Sequence, residues 1–369
     1  MLVISSSNLR GRIELNPGER VALLGRNGSG KSTLINSVTC EGPFDFHVDG
    51  REFCDTRDYS LISAVFQEPS SQILARTLED ELKIMARFHE VDFELARKLM
   101  GPYLKTDFFR LSDGYRKRYV ITSVLASKPR YVLLDEPFSN LDENAIRLVK
   151  EVIPQGSLIA EHRTREVRDM VDRAYLLTRD GILELSKETL WDESFLRNHG
   201  LRGFKLKVER VEHGNTLLDV GVGSLRVKVR EGEVLCLTGP NGSGKTSLLK
   251  KLSGKVYVIF QNPDLQLFED TVWGEVKRDD VMELFNLKEL RDRSPFALSM
   301  GEKMRVLIAS AFSSGFRVIG LDEPTAAMDG YGIQSLAEMI SILKEEKRGI
   351  IMATHDDDVL TLCDSRIDL

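Results

Sequence analysis

Gly25-Arg26-Asn27-Gly28-Ser29-Gly30-Lys31-Ser32-Thr33 returns 214 positions later as Gly239-Pro240-Asn241-Gly242-Ser243-Gly244-Lys245-Thr246-Ser247. Both copies match G-x-x-x-x-G-K-[ST], and their surroundings decide how the match is read. Val21-Ala22-Leu23-Leu24 and Val234-Leu235-Cys236-Leu237 precede them as apolar runs that read as buried strands, and Leu34-Ile35 and Leu248-Leu249 begin helices behind them. Strand, glycine-rich turn and helix in that order aim successive backbone N–H groups and a helix N-terminus at one point, which suits phosphate oxygens. Lys31 and Lys245 add charge at the terminal phosphates, and the hydroxyls of Ser32 and Thr246 can join a Mg²⁺ shell. The expected nucleotide contacts are Gly25, Asn27, Gly28, Gly30, Lys31, Ser32 and Thr33, and Gly239, Asn241, Gly242, Gly244, Lys245, Thr246 and Ser247.

The repetition extends outward. FQEPSSQIL from Phe66 returns as FQNPDLQLF from Phe260, 194 positions on, and YVLLDEP from Tyr131 returns as VIGLDEP from Val318, 187 on. Ordered matches with shrinking offsets mean two homologous halves, the second lacking 20 residues before Gln261 and seven more after it. The first half fills the earlier interval with GPFDFHVDGREF, where Asp49-Gly50 reads as a hairpin turn. The second half is therefore expected to lack a hairpin and to carry a shorter helical insertion. The junction falls near Asn198-His199-Gly200: a first domain over 1–197, a short linker over 198–202, and a second domain over 203–369 that opens with the strand pattern Phe204-Lys205-Leu206-Lys207-Val208.

Length and composition agree. A chain of 369 residues, 42% hydrophobic and 29% charged, has room for roughly two domains with packed cores. Its net charge of -6 gives no general electrostatic reason to bind nucleic acid. Cys40, Cys54, Cys236 and Cys363 form no CxxC pair, so neither a zinc site nor a disulfide framework is expected, and a reducing compartment fits. No apolar run reaches the roughly 18 residues needed to cross a bilayer, so membrane association is expected only through partners.

Each half also has an apolar strand ending in two acids, Asp135-Glu136 and Asp322-Glu323. The aspartates are suited to hold Mg²⁺ and the glutamates to polarise an attacking water. Leu111-Ser112-Asp113-Gly114 and Leu298-Ser299-Met300-Gly301 each begin 24 residues before the strand aspartate. This pattern resembles the LSGGQ signature of the ATP-binding cassette family. With Gln67 and Gln261 as Q-loops, Asp142 and Asp329 in D-loops and His162 and His355 as switch histidines, the resemblance covers nearly the whole chain. It implies an α/β fold of two P-loop NTPase domains, each with a RecA-like core, a β subdomain (reduced in the second half) and a helical subdomain.

The resemblance implies an ATPase whose cofactors are ATP and Mg²⁺. Glu136, Glu323, His162, His355, Gln67 and Gln261 would be catalytic, and Ser32, Gln67, Asp135, Thr246, Gln261 and Asp322 would serve the metal. In that family two cassettes pair head to tail, so Ser299 and Gly301 would face the first phosphate loop and Ser112 and Gly114 the second, both within one polypeptide. Three departures stand out: Asp113 and Met300 occupy a position usually held by Gly, Tyr115 and Glu302 one usually held by Gln, and no aromatic residue stands where the family stacks adenine. Asp113 leads to the expectation of unequal sites, the second weaker. Within the family, the segments Gln67–Gln72 and Gln261–Phe268 look like the ATPases of energy-coupling-factor importers of vitamins or cobalt and nickel ions. Integral membrane subunits would then place coupling helices beside those segments, at the cytoplasmic face of the membrane. The competing expectation is a soluble cassette ATPase acting on ribosomes or DNA.

Overall fold

The apolar runs beside the phosphate loops are buried at nearly every position, as strands covered on both faces must be. The computed structural model describes all residues except His89, Asn140, Lys207, Glu209, Arg210 and Asn241, and divides into two units, Met1–Gly203 and Phe204–Leu369.

The first unit contains β1 (Leu2–Ser5), β2 (Arg12–Leu15), β3 (Arg20–Leu24), β4 (Asp45–Val48), β5 (Arg51–Glu52), β6 (Ile62–Val65), β7 (Tyr131–Asp135), β8 (Ser157–Glu161), β9 (Arg173–Leu177) and β10 (Ile182–Leu185). Its helices are α1 (Lys31–Asn36), α2 (Phe53–Thr56), α3 (Leu78–Met85), α4 (Phe93–Met100), α5 (Asp113–Ala126), α6 (Glu143–Val152), α7 (Thr164–Val167) and α8 (Glu193–Asn198). One sheet runs β10-β9-β3-β8-β7-β6, parallel except for β10. The other, β2-β1-β4-β5, is antiparallel. Leu23, Leu133 and Leu158 of the first sheet, Ile4 and Phe46 of the second, and Leu34 and Ile35 of α1 share one buried cluster. The expected hairpin is β4–β5. Asp49 and Gly50 turn it with φ of 50° and 81°, the left-handed pair that matches the twist of a tight hairpin. In the helical part, Glu81 of α3 is buried and accepts from Tyr119 Oη at 2.9 Å and from Ser123 Oγ, both on α5.

The second unit contains β11 (Thr216–Val222), β12 (Leu225–Arg230), β13 (Val234–Thr238), β14 (Tyr257–Ile259), β15 (Val318–Asp322), β16 (Gly349–Ala353) and β17 (Ser365–Asp368), with α9 (Lys245–Lys251), α10 (Val272–Val276), α11 (Asp279–Leu284), α12 (Met300–Ser313) and α13 (Gly330–Glu345). Its main sheet, β14-β15-β16-β13-β17, is parallel throughout, and among the described residues β11 pairs only with β12. Among the described residues no strand lies between α9 and β14, where the first unit places β4 and β5. Past the Q-loop, α10 and α11 have 5 and 6 residues against 8 and 8 for α3 and α4. Both deficits are therefore visible as missing or shortened elements.

Two expectations are corrected. Phe204, Lys205, Leu206 and Val208 belong to no strand, and Lys207 lies outside the described residues. In the first unit β1 sits between β2 and β4. The place of β1 is taken 214 positions on by β11, which pairs with β12 as β1 pairs with β2. Phe204 and Leu206 are buried, so the alternation at 204–208 reports burial of one face and not strand pairing. The cysteines are the second correction: Cys40 bonds Cys54 and Cys236 bonds Cys363, each with Cα atoms 5.7 Å apart. The partners are 14 and 127 residues apart, so only the fold brings them together. The cysteines therefore no longer argue for a reducing compartment.

Candidate active site

Each phosphate loop joins the end of a central strand to a helix, β3 to α1 and β13 to α9. The residue before the helix must adopt a left-handed backbone, and Gly30 and Gly244 do so with φ of 102° each; a side chain there would be strained. Gly25 is fixed by crowding, since a Cβ would stand 2.4 Å from Ser29 Oγ and 2.9 Å from the Leu177 carbonyl oxygen. The lysine ammoniums lie against their own loops. Lys31 Nζ donates to the carbonyls of Gly25 (2.7 Å) and Arg26 (3.1 Å), and Lys245 Nζ to those of Gly239 and Pro240 at the same distances. Thr33 and Ser247 lie in the first turns of α1 and α9. Asn241 lies outside the described residues.

Asp135 and Asp322 end β7 and β15, and Glu136 and Glu323 follow directly. Asp135 is fully buried, and burial raises its pKa, with the nearby Ser32 hydroxyl drawing it back. Neither Asp135 oxygen completes a hydrogen bond with a protein group among the described residues. Two shielded carboxylate oxygens without donors call for a cation, so the residues present fit a divalent ion. In the second unit Thr246 Oγ1 donates to Asp322 Oδ1 at 2.9 Å, and burial likewise raises Asp322.

Glu136 and Glu323 take positive φ, 45° and 46°. A non-glycine residue in this region stores strain and commonly marks a functional position. The turn brings Glu136 Oε1 to 3.0 Å from His162 Nδ1 and Glu323 Oε1 to 2.9 Å from His355 Nδ1. Burial by itself would raise the Glu136 carboxyl, but the His162 hydrogen bond, with Lys31 and Lys117 nearby, outweighs it and holds the pKa below the usual carboxylate range. Lys245 Nζ lies 3.6 Å from Glu323 Oε1. Each unit thus gathers a phosphate loop, two acids and a histidine at the C-terminal ends of its parallel strands, where α/β sheets bind ligands.

Gln67 and Gln261 follow β6 and β14. Gln72 and Gln266, also in the expected partner segments, are spent internally. Gln72 Oε1 accepts from Phe66 N (2.7 Å) and its Nε2 donates to the Ala64 carbonyl (2.7 Å); Gln266 does the same to Phe260 N (2.7 Å) and Val258 O (2.8 Å). Each carboxamide satisfies an edge strand as a neighbouring peptide would. The signature serines are N-caps of α5 and α12 but differ. Ser112 makes no side-chain cap bond, whereas Ser299 forms a capping box, its Oγ donating to Glu302 Oε2 at 2.6 Å. Asp113 pairs with Arg116 at 3.2 Å. Gly114 and Gly301 lie in the first turns of the same helices, and Asp142 and Asp329 cap α6 and α13.

A family model described as ABC transporter matches residues 10–139, 222–259 and 250–326, more than half of the chain. This chain belongs to the ABC transporter family. It is a tandem ABC ATPase, with one P-loop NTPase cassette in each half, and it binds and hydrolyses ATP. It is 27% identical over 463 residues to a putative HMP/thiamine import ATP-binding protein, YkoD, of Bacillus subtilis, covering 94% of this chain and 84% of that one. It is 28% identical over 433 residues to a putative ABC transporter ATP-binding protein of Sulfurisphaera tokodaii, covering 93% and 88%. Among solved structures it resembles the archaeal ribosome recycling factor aABCE1, in complex with the stalk protein aP1, with TM-score 0.66, 21% identity and coverage of 96% and 84%. It also resembles an RNase-L inhibitor, with TM-score 0.67, 20% identity and coverage of 95% and 83%. At these identities the structural likeness speaks for the cassette fold alone.

Sequence reasoning on this tandem ATPase missed Lys117. The residue is buried on α5, and its Nζ donates to the carbonyls of Asp135 (2.9 Å), Phe66 (3.3 Å) and Gln67 (3.5 Å). Burial lowers its pKa, while Asp135, Glu136 and Glu161 favour the charged form. The available signal was a lysine in an otherwise apolar helix face five residues after Ser112, where the repeat carries Met304. The capping role of Glu302 was likewise legible as S-x-x-E.

Proposed function

We propose that this ABC ATPase energises a membrane importer of the energy-coupling-factor type, carrying metal ions or vitamins, from the cytoplasmic face of the membrane. The observation that carries the reading is the surface around the Q-loops. Leu265 and Phe268 are 73% and 81% exposed and Leu74 is 70% exposed, beside glutamines whose amides are occupied. Large apolar side chains left in water at the expected partner segments suit an apolar helix of a transmembrane subunit. The import-related name of the Bacillus subtilis relative supports the same reading. Copurification tests it: an integral membrane protein retained by the tagged chain is the expected result, and ribosomes or DNA in its place would overturn it.

In this proposal Ser32, Gln67 and Asp135, and Thr246, Gln261 and Asp322, hold Mg²⁺, which neutralises charge on the terminal phosphates. The loop N–H groups and Lys31 or Lys245 bind the phosphates themselves. Glu136 and Glu323 accept a proton from the attacking water, and His162 and His355 orient those carboxylates. Following the family resemblance, each signature serves the other half's phosphate loop, and the two domains run 1–197 and 203–369 about a linker at 198–202. The double variant E136Q/E323Q should keep ATP binding and lose hydrolysis by about a hundredfold or more. Unchanged turnover would exclude the glutamates from this role.

A further inference from the structure

The two halves are copies, so positions where their interiors differ in charge are informative. One such difference lies against the catalytic acids. Lys117 of α5 is 2% exposed, and its Nζ donates to three carbonyls on two other segments: Asp135 at the end of β7, and Phe66 and Gln67 after β6. An ammonium has three N–H donors and no acceptor, and three carbonyls use all of them. At the equivalent place α12 carries Met304, 1% exposed, which donates nothing. A second position changes with it. Glu161, before His162, is 1% exposed; its Oε2 accepts from the backbone N–H of His162 (3.2 Å) and Arg163 (3.4 Å), and its Oε1 is buried without a partner. The second half has Thr354 before His355, fully buried. One copy thus buries a lysine and a glutamate where the other buries a methionine and a threonine.

A buried charge costs several kcal/mol of desolvation unless it is well paired. Packing alone does not require Lys117, because Met304 fills the same place in the second half. Its position is specific: it ties the signature helix to the backbone of the proposed metal-binding Gln67 and to the strand end that carries Asp135.

We propose that Lys117 is a positioning residue that makes the first half's nucleotide site less dependent on Mg²⁺ than the second's. The inference rests on the nucleotide-site reading above. In the first half the Gln67 loop and the end of β7 are held together by the three Lys117 hydrogen bonds whether or not a divalent cation is bound. In the second half Met304 has no donor for such a tie, so the corresponding segments depend on the cation.

The test uses the full chain and a readout independent of turnover. Photolabelling with 8-azido-ATP on ice, in Mg²⁺ or in EDTA, is followed by peptide mapping to assign label to either side of Gly203. EDTA should lower labelling of the second half about tenfold more than that of the first. In K117M, which removes the donors and supplies the second half's own residue, the first half should become as sensitive as the second, and K117R, which keeps donors, should retain its tolerance. K117Q supplies a second neutral variant should the methionine variant fold poorly. Equal sensitivity of both halves in the natural chain, or a first half unmoved by either neutral variant, would overturn the proposal. Absence of label from both halves in Mg²⁺ would instead overturn the nucleotide-site reading on which it stands.

Discussion

The signature serines show how one side chain in one position can be in two states. Ser299 Oγ already donates its proton to the Glu302 carboxylate, a charge-assisted bond stronger than a neutral one. Ser112 has no capping bond to give up. If each serine hydroxyl serves a phosphate, Ser112 is ready and Ser299 must first be released. S112A should therefore impair ATP turnover more than S299A. E302Q, which leaves a neutral acceptor, should lower the KM for ATP by about twofold to threefold, equivalent to ~0.5 kcal/mol. Steady-state kinetics on the three variants decides the matter, and equal losses for the two serine variants would contradict it. Asp113, from which a weaker second site is expected, pairs with Arg116 at 3.2 Å, while Glu302 holds the other serine. Most chemistry-bearing residues were legible because their spacing is fixed by strand ends and helix starts. The positive φ of Glu136 and Glu323 was not, since no glycine marks the turn, and Lys117 was hidden because its three acceptors are backbone carbonyls far away in sequence.

At the scale of elements, the sequence was most legible where local rules and burial agree. The runs at β3, β7, β13 and β15 are apolar because both faces are covered, and Asp49-Gly50 announces its hairpin by turn chemistry. The alternating stretch after Gly203 misled because alternation states only which side chains are buried: Phe204 and Leu206 are, while the strand beside β12 is β11. The disulfides were illegible for a related reason: sequence separation does not reveal that Cys236 of β13 meets Cys363 beside β17. Their effects should differ. In the chain-entropy account a 15-residue loop is worth about 3 kcal/mol and a 100-residue loop about 4.7 kcal/mol. The bonds close separations of 14 and 127 residues, so C363S should lower the melting temperature of the second unit by more than C54S lowers that of the first. Calorimetry of both variants, with and without reductant, measures this, and a larger loss from C54S would show that native-state packing outweighs loop closure. A further element-level link joins the last residues of the first unit to the turn after β8: Arg202 N donates to the His162 carbonyl at 2.8 Å, and Thr164 N donates to the Arg202 carbonyl at 3.2 Å. The segment leading toward the second unit is thus hydrogen-bonded to the turn that carries the histidine.

For the whole molecule, duplication is what the sequence stated most plainly, because ordered motifs with drifting offsets have no simpler cause than two copies with deletions between sites. Selection on the second copy has removed a hairpin and shortened helices while leaving both phosphate loops, both acid pairs and both histidines in place, as expected of two working nucleotide sites on one polypeptide. Among the described residues no helix is long and apolar enough to cross a membrane, so in the importer reading the work of ATP must leave through a docking surface. That surface should be apolar, lie near the Q-loops and be separable from nucleotide binding. Leu265 and Phe268 meet the first two conditions, and the third is open to experiment. L265E/F268E places charge on two side chains exposed to water, so neither folding nor ATP binding should change appreciably. Burying those carboxylates against an apolar helix would be costly, and the membrane partner should be lost from the purified complex together with partner-stimulated ATPase activity. L74E should produce the same loss through the first half. Variants that keep the membrane partner while turnover remains normal would mean that these apolar side chains serve another surface, and the importer reading would lose the observation that carries it.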